Sequence, residues 1–295
     1  MARRTAKQAG WRKKLTYKET LKAGENLLEE KGVYPAAAKL LMIAYCSEWE
    51  IDLYSDYEKE VNPRIEKSFN EGINRLLTFE PLAYVLGYEP FFGLDFEVDK
   101  NVFIPRPETE ELVVEVLSFL DDCYQDKQEI KGLDLCTGSG VIATTLVLEE
   151  EKIEMWASDI DEKALEVAKR NADKFKTKVN FIQGDLFENI PEDLKFDFII
   201  CNPPYIKDDE ILENSVKDFE PHVALFAGKD GLDFYRRIFL EASTYLNPKS
   251  FLAFEIGYDQ AGILRELALL HFSHSKISIK QDLNGKDRML FIINF

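Results

Sequence analysis

The chain contains 295 residues, of which 45% are hydrophobic and 31% are charged, a balance that predicts one large or two smaller globular domains. Acidic residues outnumber basic ones and give a net charge of -17, so no direct nucleic-acid partner is expected. The four cysteines form no CxxC pair, and neither a membrane-spanning apolar run nor a signal peptide is recognisable. We therefore expect a cytoplasmic protein without disulfides, metal site or membrane partner.

Residues 1–14 form a basic segment, which its composition predicts to be a tail without regular structure. Its cations are Arg3, Arg4, Lys7, Arg12, Lys13 and Lys14. Residues 15–80 show apolar positions at helical spacing, and "TYKE" at 16–19 predicts a capping box at the start of the first helix. We therefore predict a small helical bundle over residues 15–80.

The pattern changes at Pro81, where apolar and polar residues begin to alternate. Residues 81–105 are therefore predicted to be extended and to form a β-hairpin connector. Over residues 106–295, strands and helices alternate, which indicates an α/β domain with a doubly wound, mostly parallel sheet and an antiparallel strand at its end. Parallel strands are predicted at 132–136, 153–158, 178–183, 196–201 and 250–256, and helices near 140–149, 161–175, 231–246 and 258–270.

A glycine-rich turn lies where ligands bind in such sheets, at the carboxyl end of a strand. The segment "LDLCTGSGVIATTL" predicts a strand, a turn at Gly138 and Gly140, and a helix whose N-terminus offers free N–H groups. Asp159 ends the next strand, where a carboxylate can accept both hydroxyls of a ribose. Together these features indicate a nucleoside cofactor, although a short Gly-x-Gly also occurs in plain tight turns. Asp185 either accepts from an adenine amino group or is an ordinary turn residue.

The NPPY segment, residues 202–205, closely follows the apolar run "FDFII". Two prolines cannot continue a strand ladder, so the segment is either a strand-ending turn or a rigid site that holds a neutral amide. The glycine turn also fits a nicotinamide dinucleotide. However, the NPPY segment offers no acid or base for proton transfer, and no histidine lies near a later strand end. A dehydrogenase is therefore disfavoured.

These motifs together resemble those of the class I S-adenosylmethionine-dependent methyltransferases, in which Asn-Pro-Pro-Tyr is typical of enzymes that methylate planar amino or amide nitrogens. The segments "IPRPETE", "FEPHVALFAGKDGLDFYRRI", "EIGYDQ" and "DLNGKDR" resemble the release-factor glutamine N5-methyltransferases, the HemK/PrmC family, and the likeness runs from about residue 15 to the C-terminus. It implies methyl transfer from S-adenosyl-L-methionine to the glutamine of the Gly-Gly-Gln motif in class 1 peptide chain release factors. It also implies a substrate-recognition role for residues 15–80 and a Rossmann-like methyltransferase domain over residues 106–295.

The resemblance assigns roles to residues at matching positions. It implies that the turn from Thr137 to Gly140 lines the methionine portion of the cofactor, that Asp159 holds the ribose, and that Asp185 and Leu186 flank the adenine. The full cofactor-binding set is Cys136, Thr137, Gly138, Ser139, Gly140, Asp159, Asp185, Leu186 and Asn202. The substrate-binding set is Asn202, Pro203, Pro204, Tyr205, Phe103 and Arg106, among which Asn202, Pro203 and Tyr205 are the expected catalytic residues.

Two neighbouring side chains have alternative roles. Phe103 is expected to pack on the substrate amide or the methyl sulfonium, or else to be a core aromatic residue. Arg106 pairs either with a nearby acid or with the substrate backbone. Glu220 and Glu255 are expected to be structural rather than catalytic.

Cys136 departs from the general methyltransferase motif, which prefers glycine at this position. A positive φ would be costly for cysteine, so we predict that Cys136 is the last extended residue of its strand. Cys201 ends the fourth strand. The two thiols either face the cofactor crevice together, where oxidation would block it, or lie inert on opposite faces of the sheet.

An amide nitrogen is a poor nucleophile, and the NPPY segment would activate it by orientation rather than by removing a proton. The Asn202 side-chain oxygen is predicted to accept one N–H group and the Pro203 carbonyl the other, while Tyr205 excludes water. By this argument Asn202→Asp, which keeps an acceptor, should be less damaging than Asn202→Ala, unless its charge is too costly in the closed site. The alternatives are an adenine-N6 nucleic-acid methyltransferase and a non-catalytic nucleoside-binding module in which the NPPY segment is only a turn.

Overall fold

The computed structural model describes residues 14–295, and the chain divides into two compact units, Met1–Leu86 and Gly87–Phe295. The predicted basic tail lies outside the described residues, apart from Lys14, whose ammonium pairs with Glu60 at 2.8 Å. Within the described part of the chain, no helix is long and apolar enough to cross a membrane.

The first unit is a helical bundle, as the apolar spacing predicted. Its helices are α1 (Tyr17–Lys31), α2 (Ala36–Ser47), α3 (Pro63–Leu76) and α4 (Leu82–Leu86). The capping box of α1 is present: the Thr16 hydroxyl accepts from the Glu19 N–H at 3.1 Å, and the Glu19 carboxylate accepts from the Thr16 N–H at 3.0 Å. The helices bury a common apolar core, which includes Leu28, Leu41, Phe69 and Ile73.

Helix α4 occupies a stretch that the alternating pattern predicted to be extended, and that prediction is wrong. The sequence "LAYVL" is apolar at every position, so it has no period that distinguishes a strand from a helix. The carbonyl of Pro81 accepts from the N–H groups of Tyr84 and Val85 at 3.0 and 3.1 Å. Proline at this position favours a first helical turn, and the turn buries both side chains.

A β-hairpin opens the second unit, as predicted. Its strands are β1 (Tyr88–Phe91) and β2 (Leu94–Glu97), which pair antiparallel. Phe92 and Gly93 connect them with φ angles of 53° and 75°, values typical of a two-residue type I′ turn.

A seven-stranded sheet forms the centre of the second unit. Its strands are β3 (Ile130–Leu135), β4 (Ile153–Asp159), β5 (Val179–Gln183), β6 (Phe196–Cys201), β7 (Leu246–Glu255), β8 (Lys276–Gln281) and β9 (Asp287–Asn294). They lie in the order β5-β4-β3-β6-β7-β9-β8. The first five are parallel, and β9 pairs antiparallel with both β7 and β8. The predicted doubly wound α/β class is confirmed.

Helices cover both faces of this sheet. They are α5 (Pro107–Cys123), α6 (Val141–Glu149), α7 (Glu162–Phe175), α9 (Asp233–Glu241) and α10 (Ala261–His271); a further short helix, α8 (Asn214–Phe219), buries no side chain. Strand β6 shows why both faces are apolar: Phe198 and Ile200 enter the core with α5 and α6, whereas Ile199 and Cys201 enter the core with α9 and α10. The predicted helix over 231–246 ends earlier, at Glu241, and continues as a 3-10 helix.

The strand order places the ligand crevice. From β3 the chain runs outward through β4 and β5, and it then returns to form β6 on the other side of β3. Ligands bind outside the carboxyl ends of strands at such a switch point. The glycine turn follows β3 and the NPPY segment follows β6, so both motifs lie at this edge.

The hairpin is anchored beside the glycine turn through one buried side chain on α7. The Asn171 carboxamide accepts from the Glu97 N–H at 2.7 Å and donates to the Glu97 carbonyl at 3.0 Å. It also donates to the Ser139 carbonyl at 2.9 Å. A single amide thereby joins the hairpin, α7 and the turn after β3.

Candidate active site

The glycine turn after β3 presents its backbone to a cleft. Gly138 has a φ of 54°, and a Cβ added there would meet no atom within 4 Å, so the position borders open space. Gly140 is the N-cap residue of α6, and an added Cβ would lie 2.9 Å from the Ala168 Cβ. Gly140 therefore permits close packing of α6 on α7. Because it does not line the cleft, its contact with the methionine portion stays a prediction.

Cys136 has a φ of 58°, so the prediction that it is the last extended residue of β3 is wrong. The strand ends at Leu135, and the chain turns at once towards the glycines. A left-handed residue is needed for this turn, at a cost of roughly 1–2 kcal/mol for a side chain with a Cβ. Cys136, which stands where the general motif has glycine, therefore has a strained backbone conformation.

The two cysteine thiols pack on the same face of the sheet. Cys201 is buried in the core that contains α9 and α10, and Cys136 packs against that core while also lining the cleft. Burial raises the pKa of Cys201 well above its usual range, and its hydrogen-bond contact with Cys136 raises it further. Both thiols are free, and the blocking of the crevice by oxidation stays a prediction.

Asp159 at the end of β4 is held with its carboxylate beside the glycine turn. Its Oδ2 accepts from the Gly138 N–H at 2.9 Å, and its Oδ1 accepts from the Asp161 N–H at 3.0 Å. Burial raises its pKa, and these two backbone hydrogen bonds oppose the shift. Each oxygen retains a second lone pair, so the carboxylate can still accept the two hydroxyls of a ribose.

Asp185 and Leu186 also line the cleft, and their contact with an adenine stays a prediction. The Leu186 carbonyl accepts from the Ser158 hydroxyl at 3.2 Å, which fixes the backbone next to β4. Asp185 forms an ion pair with Arg237 at 2.9 Å. Arg237, from α9, also lines the cleft, and the motif analysis did not identify it.

The hydrogen bonds of the Asn202 side chain determine which of its polar atoms can face a ligand. Its Nδ2 donates to Glu255 Oε2 at 2.9 Å and to Thr109 Oγ1 at 3.1 Å. No donor among residues 14–295 makes a hydrogen bond to its Oδ1, and the side chain lines the cleft. Asn202 can therefore present a fixed acceptor to a ligand.

Tyr205 is held by its hydroxyl and its backbone. The hydroxyl donates to Glu255 Oε1 at 3.4 Å, and the Tyr205 carbonyl accepts from Gln260 Nε2 at 3.0 Å. Burial raises the pKa of Tyr205, and the Glu255 charge raises it further, so the phenol is neutral at physiological pH. A Cβ at Gly231 would lie 2.3 Å from the Tyr205 carbonyl oxygen. Glycine is therefore required at position 231, where the chain passes close to the backbone of Tyr205.

Phe103 forms part of one wall of the cleft, and Arg106 packs behind it. Phe103 lines it, and the Arg106 guanidinium lies over the Phe103 ring at 4.7 Å. Of its two alternatives, Arg106 takes the nearby acid: it pairs with the buried carboxylate of Glu220 at 2.5 Å. Glu220 also accepts from the Ile104 N–H at 3.2 Å. Arg106 itself does not line the cleft, so its contact with substrate stays a prediction.

Residues of both motifs line a single cleft that opens to solvent. Its shape and chemistry fit a nucleoside cofactor that carries a methionine portion, because open space borders Gly138 and the Asp159 carboxylate keeps free lone pairs. The sequence-predicted residues that line it are Phe103, Cys136, Thr137, Gly138, Ser139, Asp159, Asp185, Leu186, Asn202, Pro203, Pro204 and Tyr205.

The hydrogen-bonded support behind Asn202 was not found by sequence reasoning. Glu255 was expected to be structural, and Thr109 was not identified at all. Their only signal was position: Glu255 ends strand β7, beside the end of β6, and the register places Cys201 opposite Phe254. Thr109 lies 93 residues before Asn202, so no local pattern could connect them.

Comparison with known families gives two matches along the chain. The PrmC N-terminal domain matches residues 19–87, and the methyltransferase small domain matches residues 116–223. Among solved structures, the hMettl16 catalytic domain in complex with MAT2A 3′UTR hairpin 1 has a TM-score of 0.55 at 14% identity, covering 86% of this chain and 91% of that chain. A methyltransferase from Pyrococcus furiosus has a TM-score of 0.50 at 18% identity, covering 69% and 90%. These likenesses establish a class I methyltransferase fold.

Whole-chain relatives are more informative. The release factor glutamine methyltransferase of Bacillus cereus is 38% identical over 276 residues, covering 92% of this chain and 97% of that protein. Those of Bacillus subtilis and Staphylococcus aureus are 36% and 34% identical, covering 92% and 94% of this chain and 96% and 98% of those proteins. With the cleft and the NPPY segment in place, these identities show that the chain belongs to the release factor glutamine methyltransferase family.

Proposed function

We propose that this protein transfers a methyl group from S-adenosyl-L-methionine to the side-chain amide nitrogen of the glutamine in the Gly-Gly-Gln motif of a class 1 peptide chain release factor, in the cytoplasm. The observation that carries the proposal is the state of Asn202. Its Nδ2 donates to Thr109 and Glu255, so the group that it offers to the cleft is the acceptor oxygen. A primary amide nitrogen, which bears two hydrogens, is the matching partner.

The chemistry depends on orientation. A bound S-adenosyl-L-methionine would supply the methyl group of a sulfonium and would leave as the neutral thioether, while the methylated nitrogen gives up one proton to solvent. The Asn202 Oδ1 and the Pro203 carbonyl accept the two N–H groups of the glutamine, which fixes the plane of the amide and turns the nitrogen towards the methyl. The prolines keep these acceptors rigid. Tyr205 and Phe103 cover the planar group and keep water out.

Cofactor binding is assigned to the glycine turn and the two acidic strand ends. Thr137, Gly138 and Ser139 approach the methionine portion with their backbone. The Asp159 carboxylate accepts the ribose hydroxyls, and Asp185 with Leu186 flanks the adenine. Support for this comes from the cleft itself, in which these residues lie in a continuous row from β3 through β4 to β5.

The helical unit is assigned to substrate recognition. It carries several large apolar side chains that are exposed, among them Tyr34 at 75% and Tyr54 at 65%. Large exposed apolar groups are frequent at protein–protein contacts. We expect this unit to contact parts of the release factor outside the Gly-Gly-Gln loop.

A labelling experiment tests the proposal. The protein is incubated with methyl-tritiated S-adenosylmethionine and a purified class 1 release factor, and beside it with the same factor whose Gly-Gly-Gln glutamine is changed to alanine. We expect label in the first factor only. Label in DNA or RNA but not in protein would instead support an adenine methyltransferase, and cofactor binding without any transfer would support a nucleoside-binding module.

A further inference from the structure

Behind Asn202 lies a buried carboxylate that the proposed chemistry does not use directly. Glu255 is 1% exposed. Its Oε2 accepts from Thr109 Oγ1 at 2.6 Å and from Asn202 Nδ2 at 2.9 Å, and its Oε1 accepts from the Tyr205 hydroxyl at 3.4 Å. A buried carboxylate is costly unless donors surround it, and here the donors come from both the NPPY segment and α5.

The direction of each hydrogen bond in this group follows from Glu255. A hydroxyl has one hydrogen, and Thr109 gives it to the carboxylate. The remaining contact of Thr109 Oγ1, with Asn202 at 3.1 Å, must therefore be one in which Asn202 donates. The same Nδ2 donates to Glu255 Oε2. The nitrogen side of the carboxamide therefore faces these two acceptors, which leaves its oxygen for the cleft.

We propose that Glu255 is the positioning residue that fixes the amide orientation of Asn202 and thereby makes the site selective for an amide nitrogen over a carboxylate oxygen. This inference rests on the function proposed above. A glutamine can donate two hydrogens to the Asn202 oxygen and the Pro203 carbonyl. A glutamate at the same place has only lone pairs, which both acceptors repel.

The selectivity depends on how rarely the side-chain amide of Asn202 flips, which would exchange the positions of its oxygen and its NH2 group. Burial raises the pKa of Glu255, and the hydrogen bond from Thr109 and the charge of Arg288 oppose this shift. With the carboxylate ionised, the turned amide would direct its oxygen at Glu255 and lose hydrogen bonds to a charged group, so its population would be about 1% or less. Glu255→Gln removes this bias, because a glutamine amide can donate to an oxygen as well as accept from a nitrogen. In that variant Asn202 can present either its oxygen or its NH2 group to the cleft.

The experiment uses the full-length protein and two release factors, one with the natural glutamine and one with glutamate in its place. For each enzyme variant, the single-turnover rate of methyl transfer to the glutamine factor is measured at saturating factor. Inhibition of that reaction by the glutamate factor is measured beside it, and calorimetry gives the affinity for S-adenosylmethionine. The variants are Glu255→Gln, Thr109→Val and Thr109→Ser, with Thr145→Val, another buried threonine outside the cleft, as a matched control.

We expect Glu255→Gln to lower the transfer rate about 10- to 100-fold while cofactor affinity changes less than about threefold. Inhibition by the glutamate factor should strengthen about tenfold relative to binding of the glutamine factor, because Asn202 can then donate. Thr109→Val should slow transfer in the same direction, and Thr109→Ser, which keeps the hydroxyl, should recover most of the lost rate. Thr145→Val should behave like the wild type.

Three results would overturn the inference. An unchanged transfer rate and an unchanged preference in both Glu255→Gln and Thr109→Val would show that Asn202 is oriented without them. Equal weakening for the glutamine and glutamate factors, or a matching loss of cofactor affinity, would show that the group only stabilises the fold. If the wild-type protein itself failed to label the glutamine factor, the proposed function would fall and the inference with it, a result distinct from the other two.

Discussion

The carboxamide of Asn202 lies between a buried carboxylate and an open cleft, and this changes what its substitutions should do. The sequence argument expected the aspartate variant to be less damaging than the alanine variant because it keeps an acceptor, unless the added charge is too costly. Glu255 Oε2 lies 2.9 Å from Nδ2 of Asn202. An ionised aspartate at this position would bring a second carboxylate into contact with the first, and without a proton it would have no hydrogen to donate to either partner.

We therefore expect Asn202→Asp to be at least as damaging as Asn202→Ala, which reverses the earlier expectation. Two carboxylates at this distance cannot both ionise, so one takes up a proton. Methyl transfer by the aspartate variant should then rise as the pH is lowered, whereas the alanine variant should show no such rise. Transfer rates of both variants across the stable pH range test this, and a faster aspartate variant at neutral pH would contradict it.

Asp159 should matter for cofactor binding rather than for transfer. Asp159→Asn keeps one oxygen acceptor but loses the charge that strengthens hydrogen bonds to the ribose. Hydrogen bonds to charged groups contribute about 1.5–3 kcal/mol, so we expect the calorimetric dissociation constant for S-adenosylmethionine to rise about tenfold or more. The transfer rate at saturating cofactor should change little. A loss of transfer with unchanged cofactor affinity would contradict this assignment.

At the scale of elements, strand β3 and its following turn carry a buried acid. Asp134 is inaccessible to solvent, and its Oδ2 accepts from the Thr137 hydroxyl at 2.6 Å. Burial raises the pKa of Asp134 to about 7, and the hydrogen bond from Thr137 opposes the shift. The carboxyl of Asp134 is therefore protonated in the folded protein at mildly acidic pH.

This pKa predicts a pH dependence of stability. The folded state keeps the proton up to about pH 7, whereas the unfolded chain releases it near its ordinary value of about 4. Because the folded state binds more protons in this window, the contribution of Asp134 falls as the pH rises, by at most about 1.4 kcal/mol per pH unit. Asp134→Asn should remove this slope. Denaturant unfolding of both proteins between pH 5 and pH 7.5 measures the difference, and parallel curves would contradict the prediction.

The elements themselves were largely predictable where their periods were clear. The parallel strands and the helices after them follow from apolar runs and capping signals. The long connection from the NPPY segment to α9 was harder to predict from the sequence, because α8 is short and buries no side chain. Helix α4 was wrongly predicted to be extended, because an all-apolar stretch of five residues carries no period that distinguishes a helix from a strand.

For the whole molecule, alternation along the sequence predicted the sheet, and the sheet then predicted where the site lies. The predicted sheet places the glycine turn, Asp159 and the NPPY segment at one edge. The sequence does not predict contacts between distant segments, such as that of Glu255 with Thr109, which are 146 residues apart. Arg237 was missed for the same reason, because its ion pair with Asp185 depends on how α9 packs.

The helical unit offers a prediction on the same scale. If it recognises the release factor, Tyr34→Ala and Tyr54→Ala should each raise the KM for the factor about tenfold, without changing the dissociation constant for S-adenosylmethionine. Tyr258→Ala is a matched control, because Tyr258 is 62% exposed but belongs to the second unit. An unchanged KM in both helical-unit variants would argue against the recognition role.

The orientation of the substrate amide by Asn202 is tested most directly by single-turnover methyl transfer with Asn202→Ala at saturating release factor, beside a calorimetric titration of the cofactor. A hydrogen-bond acceptor that the protein holds in the orientation needed by the transition state typically raises the rate about a hundredfold. We expect the variant to transfer methyl about a hundredfold more slowly than the wild type, while its affinity for S-adenosylmethionine changes only a few-fold. Transfer at the wild-type rate would show that the NPPY segment is only a turn and would contradict the account.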